Sequence, residues 1–185
     1  MSRINYIQLL VGKRGCGKTT TAIKIARSTG KRIIVINTDN NDAYSSFEII
    51  PLQKLQIWKG KEGICITDEP LQALTILNNY QKNIFVICDD TQKYINQTVE
   101  KEARIFIINH RMNNFDVIFM YHSLKFVPPY LAMQFNQIIL FKTLDSNMAE
   151  LRNKYNNFNA IERKIPKIKA HPSPYYCDVI NDTDE

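Results

Sequence analysis

A glycine-rich stretch near the start of the chain, Gly12–Thr20, carries the residues best suited to chemistry. Its run GKRGCGKT fits the pattern G-x-x-x-x-G-K-[ST] at every fixed position. Glycines at this spacing let backbone N–H groups converge on phosphate oxygens, and the N-terminus of a following helix adds positive partial charge. Lys18 could then reach β- and γ-phosphates, and the Thr19 hydroxyl could bind Mg²⁺. The stretch predicts a site for a nucleoside triphosphate.

The segments on either side of this stretch are those that the motif requires. The apolar run Tyr6–Val11 predicts a buried strand before it, and Thr19–Arg27 predicts a helix after it. The alternative is a glycine-rich turn that merely links a strand to a helix, and the complete match argues against it. The residues assigned to the nucleotide are Gly12, Lys13, Arg14, Gly15, Cys16, Gly17, Lys18, Thr19 and Thr20.

Two acidic pairs compete to supply the carboxylates that a phosphate loop needs. Asp89 and Asp90 end the apolar run that begins at Ile84, whereas Asp68 and Glu69 end a shorter one. We prefer the first pair, because a buried central strand should be the more apolar one. Asp89 would hold Mg²⁺ through water, and Asp90 would orient or polarise the attacking water.

Two weaker candidates lie in the segment from residue 109 to residue 122. A polar turn containing Arg111 precedes an apolar strand that ends at His122. Arg111 could reach the phosphate of a neighbouring subunit, and His122 could contact the γ-phosphate or the lytic water. Each also has an ordinary interpretation, since a turn arginine is usually solvated and a histidine at a strand end is often structural.

Composition limits the classes of protein that fit the chain. Its 185 residues predict one domain with a full hydrophobic core. No stretch of 18 apolar residues occurs, so no membrane-spanning helix is expected. The four cysteines (Cys16, Cys65, Cys88 and Cys177) are scattered and form no C-x-x-C pair. They argue against a zinc site or a disulfide framework and favour a reducing compartment.

Charge is unevenly distributed along the chain. The net charge is +6, yet residues 1–38 contain no acidic residue and many basic ones. A second basic run, residues 163–169, precedes an acidic end. This pattern is compatible with a nucleic-acid surface and equally with an ordinary solvated face.

Strands and helices are predicted to alternate, as in an α/β domain with a parallel sheet. We assign residues 1–160 to the P-loop domain and 161–185 to a basic, proline-spaced C-terminal segment with an acidic end. Besides the strand before the glycine loop, the predicted strands are Lys31–Asn37, Ile64–Thr67, Asn83–Asp89, Asp116–Tyr121 and Gln137–Phe141, with an edge strand within Tyr175–Ile180. The later predicted helices are Pro70–Tyr80, Thr91–Ile108, Asp145–Tyr155 and a short one near Pro128 and Pro129, and Pro166–Pro174 is predicted to be a connection.

The order of these features resembles the FtsK/HerA superfamily of ring-forming DNA motors. It is most similar to the compact genome-packaging ATPases of tailless, membrane-containing and large DNA viruses, over about residues 5–143. The resemblance implies a single RecA-like (ASCE) P-loop domain, with a mostly parallel central sheet, helices on both faces and core strand order 5-1-4-3-2. Arg111 matches the family's arginine near the fourth strand, which often acts in trans. His122 stands where the family usually has glutamine, and Asp90 where many relatives have glutamate.

The resemblance also implies a function. It predicts an ATPase that translocates double-stranded DNA to package a viral or mobile-element genome, working as a homo-oligomeric ring with ATP and Mg²⁺. Capsid or viral membrane proteins would be further partners, in the host-cell cytoplasm or the virion. Two alternatives stay open: an assembly or secretion factor of the filamentous-phage morphogenesis type, and a nucleotide-dependent binding switch. The implied catalytic residues are Lys18, Asp90, Arg111 and His122.

Overall fold

One sheet of eight strands organises the computed structural model, which describes residues 5–146 and 149–184. The strand order is β3-β4-β2-β5-β6-β1-β7-β8, and every neighbouring pair is parallel except β7 and β8, which are antiparallel. The strands are β1 (Ile7–Val11), β2 (Arg32–Asn37), β3 (Glu48–Ile49), β4 (Glu62–Ile66), β5 (Ile84–Cys88), β6 (Asp116–Tyr121), β7 (Gln137–Phe141) and β8 (Cys177–Asn181).

Five α-helices in the described residues cover the two faces of the sheet. Short 3₁₀ turns occur at Asp42–Tyr44, Leu52–Lys54, Thr91–Lys93, Leu124–Phe126 and Ala149–Leu151. The helices are α1 (Lys18–Ser28), α2 (Pro70–Tyr80), α3 (Lys101–Asn109), α4 (Pro129–Ala132) and α5 (Phe158–Ala170). None of the described helices is long and apolar enough to cross a membrane.

The core lies in two layers, because successive strand residues point to opposite faces. Leu10 packs with the apolar side of α1 on one face, whereas Leu9 packs with residues of α2, α3 and α5 on the other. The predicted α/β class with a mostly parallel sheet and helices on both faces is therefore confirmed. Counting β1, β2, β5, β6 and β7 as core strands 1 to 5 gives the order 5-1-4-3-2, as the resemblance implies.

The predicted helix Thr91–Ile108 is wrong over its first half. After the turn Thr91–Lys93 the chain is irregular up to residue 100, and α3 begins only at Lys101. The Thr91 hydroxyl donates to the Cys88 carbonyl at 2.7 Å and accepts from the Met120 N–H at 3.2 Å. These bonds tie the segment to the sheet instead of continuing a helix.

The predicted helix Asp145–Tyr155 is also wrong in the described residues, where only the turn Ala149–Leu151 is helical. The Asp145 carboxylate is used elsewhere: it accepts hydrogen bonds from the hydroxyls of Ser123 and Thr143 and from the Leu124 N–H. Residues 147–148 of that prediction lie outside the described part of the chain.

The predicted connection Pro166–Pro174 is wrong in its first part, because α5 runs through Pro166 to Ala170. Apolar residues recur at helical spacing and are buried, and Pro166 is exposed. The helix therefore keeps its packing although one intrahelical N–H is missing. The boundary that the sequence suggested between residues 160 and 161 falls inside α5. Strand β8, which lies beyond that boundary, belongs to the main sheet because it pairs with β7. The buried residues of α5 are Phe158, Ala160, Ile161, Ile165 and Ile168.

Candidate functional site

A cavity of about 620 Å³ opens at the carboxyl ends of the central parallel strands. It is lined by residues 14–20 of the glycine loop, by Asn37 and residues 39–42 after β2, and by Asp89, Asp90, His122 and Tyr175. The carboxyl edge of a parallel sheet is where α/β proteins bind ligands, and this volume suits a small molecule. Most of the predicted site residues thus lie together in one place.

The glycine loop has a backbone conformation that depends on its glycines. Gly15 and Gly17 adopt φ values of 74° and 93°, which side chains disfavour. Gly17 also caps α1 without any side-chain hydrogen bond, and the first turn of α1 contains no acidic residue. The N–H groups and positive end of α1 are therefore available to an anion.

Gly12 is needed for a different reason, the closeness of the loop to β7. A Cβ atom on Gly12 would lie 2.5 Å from the Phe141 Cβ and 3.2 Å from the Lys142 carbonyl oxygen. The Lys13 N–H donates to that same carbonyl at 2.8 Å. The start of the loop is thus held against the end of β7.

Lys18 is buried at the beginning of α1, beneath the loop. Its Nζ donates to the carbonyl oxygens of Gly12 at 2.6 Å and Lys13 at 3.2 Å, and lies 3.1 Å from Nδ1 of His122. Burial lowers the pKa of Lys18 from its ordinary value, although the nearby carboxylates of Asp89 and Asp90 oppose this. Among the described residues no carboxylate pairs directly with this amino group, so a phosphate would supply the missing negative charge.

His122 connects Lys18 to the acidic pair. Because the Lys18 ammonium group can only donate, the His122 Nδ1 accepts, and neutral His122 then carries its proton on Nε2. That Nε2 lies 2.9 Å from Oδ1 of Asp90. The hydrogen bond from His122 is the first cause of a pKa for Asp90 well below its usual range, and Lys93 adds to it. The three side chains form one hydrogen-bonded chain across the cavity.

Asp90 has a second partner, the cation Lys93, that sequence reasoning missed. Lys93 Nζ lies 2.9 Å from Oδ2 of Asp90 and also pairs with the carboxylate of Asp39. Asp90 itself has a φ of 47°, in the left-handed region that few non-glycine residues adopt. Such a conformation persists where the surroundings impose it, and it is common at functional sites. Both oxygens of Asp90 are thus engaged in this structure.

Asp89 and Thr19, the two predicted metal ligands, line the same cavity, and Asp89 contacts the Tyr44 hydroxyl. Tyr44 donates to Oδ2 of Asp89 at 3.0 Å. Burial raises the pKa of Asp89, while its hydrogen bonds from Tyr44 and the Asp90 N–H act in the opposite direction. A cation would relieve the cost of burying this carboxylate.

The oxygen groups of Thr19 and Asp89 fit Mg²⁺, which is usually held by one or two protein oxygens together with substrate phosphates. No cluster of three or more His, Cys, Asp or Glu residues suited to a metal occurs in the described chain. The site therefore fits a metal that arrives with a nucleotide better than a metal held by protein ligands alone.

The competing acidic pair, Asp68 and Glu69, follows β4, which lies on the far side of β2 from β5. Neither residue lines the cavity, and the Glu69 N–H is instead bonded to the Thr67 hydroxyl at 3.0 Å. The geometry favours Asp89 and Asp90 as partners of the glycine loop.

Arg111 is not brought to this cavity. It is exposed in the turn before β6, at the amino end of the strand, whereas His122 follows the carboxyl end. Arg111 lines a different cavity together with residues 132–136. Its predicted contact with a phosphate is therefore not made within this chain.

Several basic residues of the acid-free N-terminal region form ion pairs and hydrogen bonds with other parts of the chain. Lys31 forms a buried ion pair with Asp116 at 3.1 Å, and Arg27 forms a bidentate pair with Glu62. Arg32 donates to carbonyl groups and to a glutamine side chain. This part of the charge pattern is accounted for by contacts around β2.

The fold and the site together define a RecA-like P-loop domain. No protein-family model matches the chain, and no curated protein matches it by sequence. Among solved structures, the chain is similar to the genome packaging NTPase B204 from Sulfolobus turreted icosahedral virus 2 in complex with ATP-gammaS. The TM-score is 0.75 at 18% identity, covering 97% of this chain and 93% of that one.

Two further solved structures show related folds. The DNA-packaging ATPase B204 from Sulfolobus turreted icosahedral virus gives a TM-score of 0.67 at 17% identity, covering 95% of this chain and 92% of that one. The N-terminal domain of zonular occludens toxin from Neisseria meningitidis gives 0.50 at 13% identity, covering 97% and 95%. The predicted similarity to viral genome-packaging ATPases is confirmed at the level of the fold.

Proposed function

We propose that this chain is a Mg²⁺-dependent ATPase of the FtsK/HerA type that drives packaging of double-stranded DNA. The observation that carries the proposal is the convergence of Lys18, His122 and Asp90 beside the glycine loop. The similarity in fold to a genome packaging NTPase, over almost the whole length of both chains, supports the proposed role in DNA packaging. By the same reasoning, the protein acts as a homo-oligomeric ring in the host cytoplasm or virion, with capsid or viral membrane proteins as further partners.

We assign a task to each side chain of the site. The loop N–H groups and Lys18 bind the β- and γ-phosphates, while Thr19 and Asp89 hold the metal. Bound Mg²⁺ supplies charge stabilisation at the phosphate oxygens. Asp90 orients or polarises the attacking water, and His122 fixes the direction of the Asp90 carboxylate. His122 thereby occupies the place of the family's glutamine between the loop and the acidic pair.

DNA binding is proposed for the exposed side of α5. Arg163 and Lys167 are exposed on this helix. The Lys164 Nζ pairs with Asp178 at 3.0 Å and also donates to a β8 carbonyl, so this residue is left out of the test below. Exposed cations of this kind contact DNA phosphates without sequence preference.

The test is the ATPase rate against duplex DNA concentration at two ionic strengths, on protein shown to be oligomeric. We expect DNA to stimulate turnover, with an apparent affinity that falls steeply with salt because counterions are released. Combining Arg163→Gln with Lys167→Gln should weaken the stimulation and lower the salt dependence by about one unit per lost contact, with basal turnover unchanged.

Controls separate the DNA surface from the nucleotide site. Lys54→Gln with Lys59→Gln removes the same charge from exposed residues near β3, at the opposite edge of the sheet, and should change nothing. Lys18→Ala should abolish basal and stimulated turnover alike. A flat response to DNA at low salt would reject translocation and favour the assembly-factor or binding-switch alternatives.

A further inference from the structure

Tyr175 lines the nucleotide cavity from the C-terminal part of the chain, a region with no predicted role in the site. Its side chain is 67% exposed, although the ring lies against the glycine loop. A Cβ atom on Gly17 would be 3.3 Å from the Tyr175 Cδ1. An exposed aromatic ring at this place has a face available for a ligand.

The strand order places Tyr175 and the acidic pair on opposite sides of the glycine loop. Asp89 and Asp90 follow β5, which is separated from β1 by β6. Tyr175 precedes β8, which is separated from β1 by β7 in the other direction. The acidic pair marks the metal and the terminal phosphate. Because the base lies at the other end of a nucleoside triphosphate from the terminal phosphate, the Tyr175 side of the cavity is open to it.

The segment that carries Tyr175 is fastened to the loop's own support. The Tyr175 N–H donates to the Ser173 hydroxyl at 3.2 Å, and the Ser173 N–H donates to His171 Nδ1 at 3.2 Å. Lys142 donates to the His171 carbonyl, and its own carbonyl accepts from the Lys13 N–H. The backbone that carries the ring is therefore held close to the phosphate-binding loop, which lowers the entropic cost of using the ring.

The remaining described lining of the cavity is polar or small, and the His122 imidazole, its other ring, is engaged by Lys18 and Asp90. Polar groups and glycines suit phosphates and a metal, but a base needs a flat apolar surface. Aromatic rings stack on any base, because every base has a π-face. We propose that Tyr175 is the stacking platform for the base of the bound nucleotide. This inference rests on the proposed nucleotide-binding function.

Equilibrium binding of ATP and of inorganic triphosphate tests the proposal, because triphosphate has no base. Tyr175→Ala should weaken ATP binding roughly 5- to 20-fold and leave triphosphate binding within about twofold. Tyr175→Phe should bind ATP as the wild type does, because it keeps the ring. Tyr80→Ala removes a tyrosine that is 59% exposed at the end of α2 and serves as the matched control.

Three results would overturn the inference. Unchanged ATP binding by Tyr175→Ala would show that the ring does not touch the base. Equal losses for ATP and triphosphate would show that Tyr175 only shapes the loop. Both outcomes leave the nucleotide-binding function intact. If the wild-type protein bound neither ligand, the proposed function would fail, and the inference with it.

Discussion

At the residue scale, the Asp90 carboxylate is held between two donors, His122 on one oxygen and Lys93 on the other. A carboxylate in this setting is ionised and directed, which suits a group that must orient water. The same contacts occupy its lone pairs. Release of the Lys93 contact would free one oxygen for water, and Lys93 is exposed enough to move.

We therefore expect Asp90→Asn to bind Mg·ATP with near-normal affinity but to hydrolyse it about 10²–10⁴-fold more slowly, because the charged hydrogen-bond acceptor of the water is lost while Asp89 is intact. Single-turnover hydrolysis and equilibrium nucleotide binding measure the two effects. Asp68→Asn is the matched control and should behave like the wild type. If Asp68→Asn is the slow variant, the acidic pair has been wrongly chosen.

The low pKa of Asp90 also predicts a pH-dependent contribution to stability. Because the folded-state pKa lies below that of the unfolded chain, the contribution is fully present above about pH 4 and is lost as the pH falls through the folded value. The difference in unfolding free energy between wild type and Asp90→Asn should thus shrink from about pH 7 to about pH 3. Urea unfolding at several pH values measures it. A difference independent of pH would argue against the charged network.

At the scale of elements, the close contact between the glycine loop and β7 leaves no room for a side chain at Gly12. Gly12→Ala should destabilise the fold by about 1–3 kcal/mol and abolish nucleotide binding, since its Cβ would meet Phe141 and the Lys142 carbonyl. Gly30→Ala is the control: its φ is 69°, yet nothing lies within 4 Å of the added atom. It should cost about 1–2 kcal/mol of backbone strain and leave binding unchanged.

Thermal unfolding and ATP binding are measured on both glycine variants. Normal ATP binding by Gly12→Ala would show that the loop can move away from β7 without loss of function. Loss of binding in Gly30→Ala would mean that strain after α1 is transmitted to the loop.

The elements also show which parts of the fold the sequence could predict. The helix Pro70–Tyr80 and the strands Asp116–Tyr121 and Gln137–Phe141 have the predicted bounds, because apolar runs there are enclosed by proline, charged or polar residues. Helix α5 was not predicted, because Pro166 indicates a break although its neighbours have helical spacing. The segment after Asp90 was not predicted either, since its course depends on hydrogen bonds to distant strands.

The residues of the candidate site also divide into those that the sequence could predict and those that it could not. The glycine loop and Asp89 could be predicted because their spacing or strand context is local. Tyr44, Lys93 and Tyr175 could not, because each reaches the cavity from a loop or turn whose path is set by tertiary packing. Residues 37–46, several of which line the cavity, are rich in Asn and Asp, a composition typical of a loop.

At the scale of the whole molecule, Arg111 and the glycine loop lie at opposite ends of the parallel strands. Arg111 is at their amino ends, and the glycine loop is at their carboxyl ends. Strand β6, which separates Arg111 from the cavity edge, has six residues and spans about 20 Å. That separation is too great for an arginine side chain to bridge within one subunit. If Arg111 takes part in catalysis, it does so at the site of a neighbouring copy.

This geometry makes a prediction about mixed assemblies. Arg111→Ala should bind ATP normally and hydrolyse it about 10³–10⁵-fold more slowly, as for an arginine that stabilises transition-state charge in trans. Mixing it with Lys18→Ala subunits should restore measurable activity, because some interfaces then pair an intact loop with an intact arginine. Arg152→Ala, which removes another exposed arginine, is the control and should remain active. Absence of rescue, at concentrations where oligomers form, would identify Arg111 as a surface residue without a catalytic role.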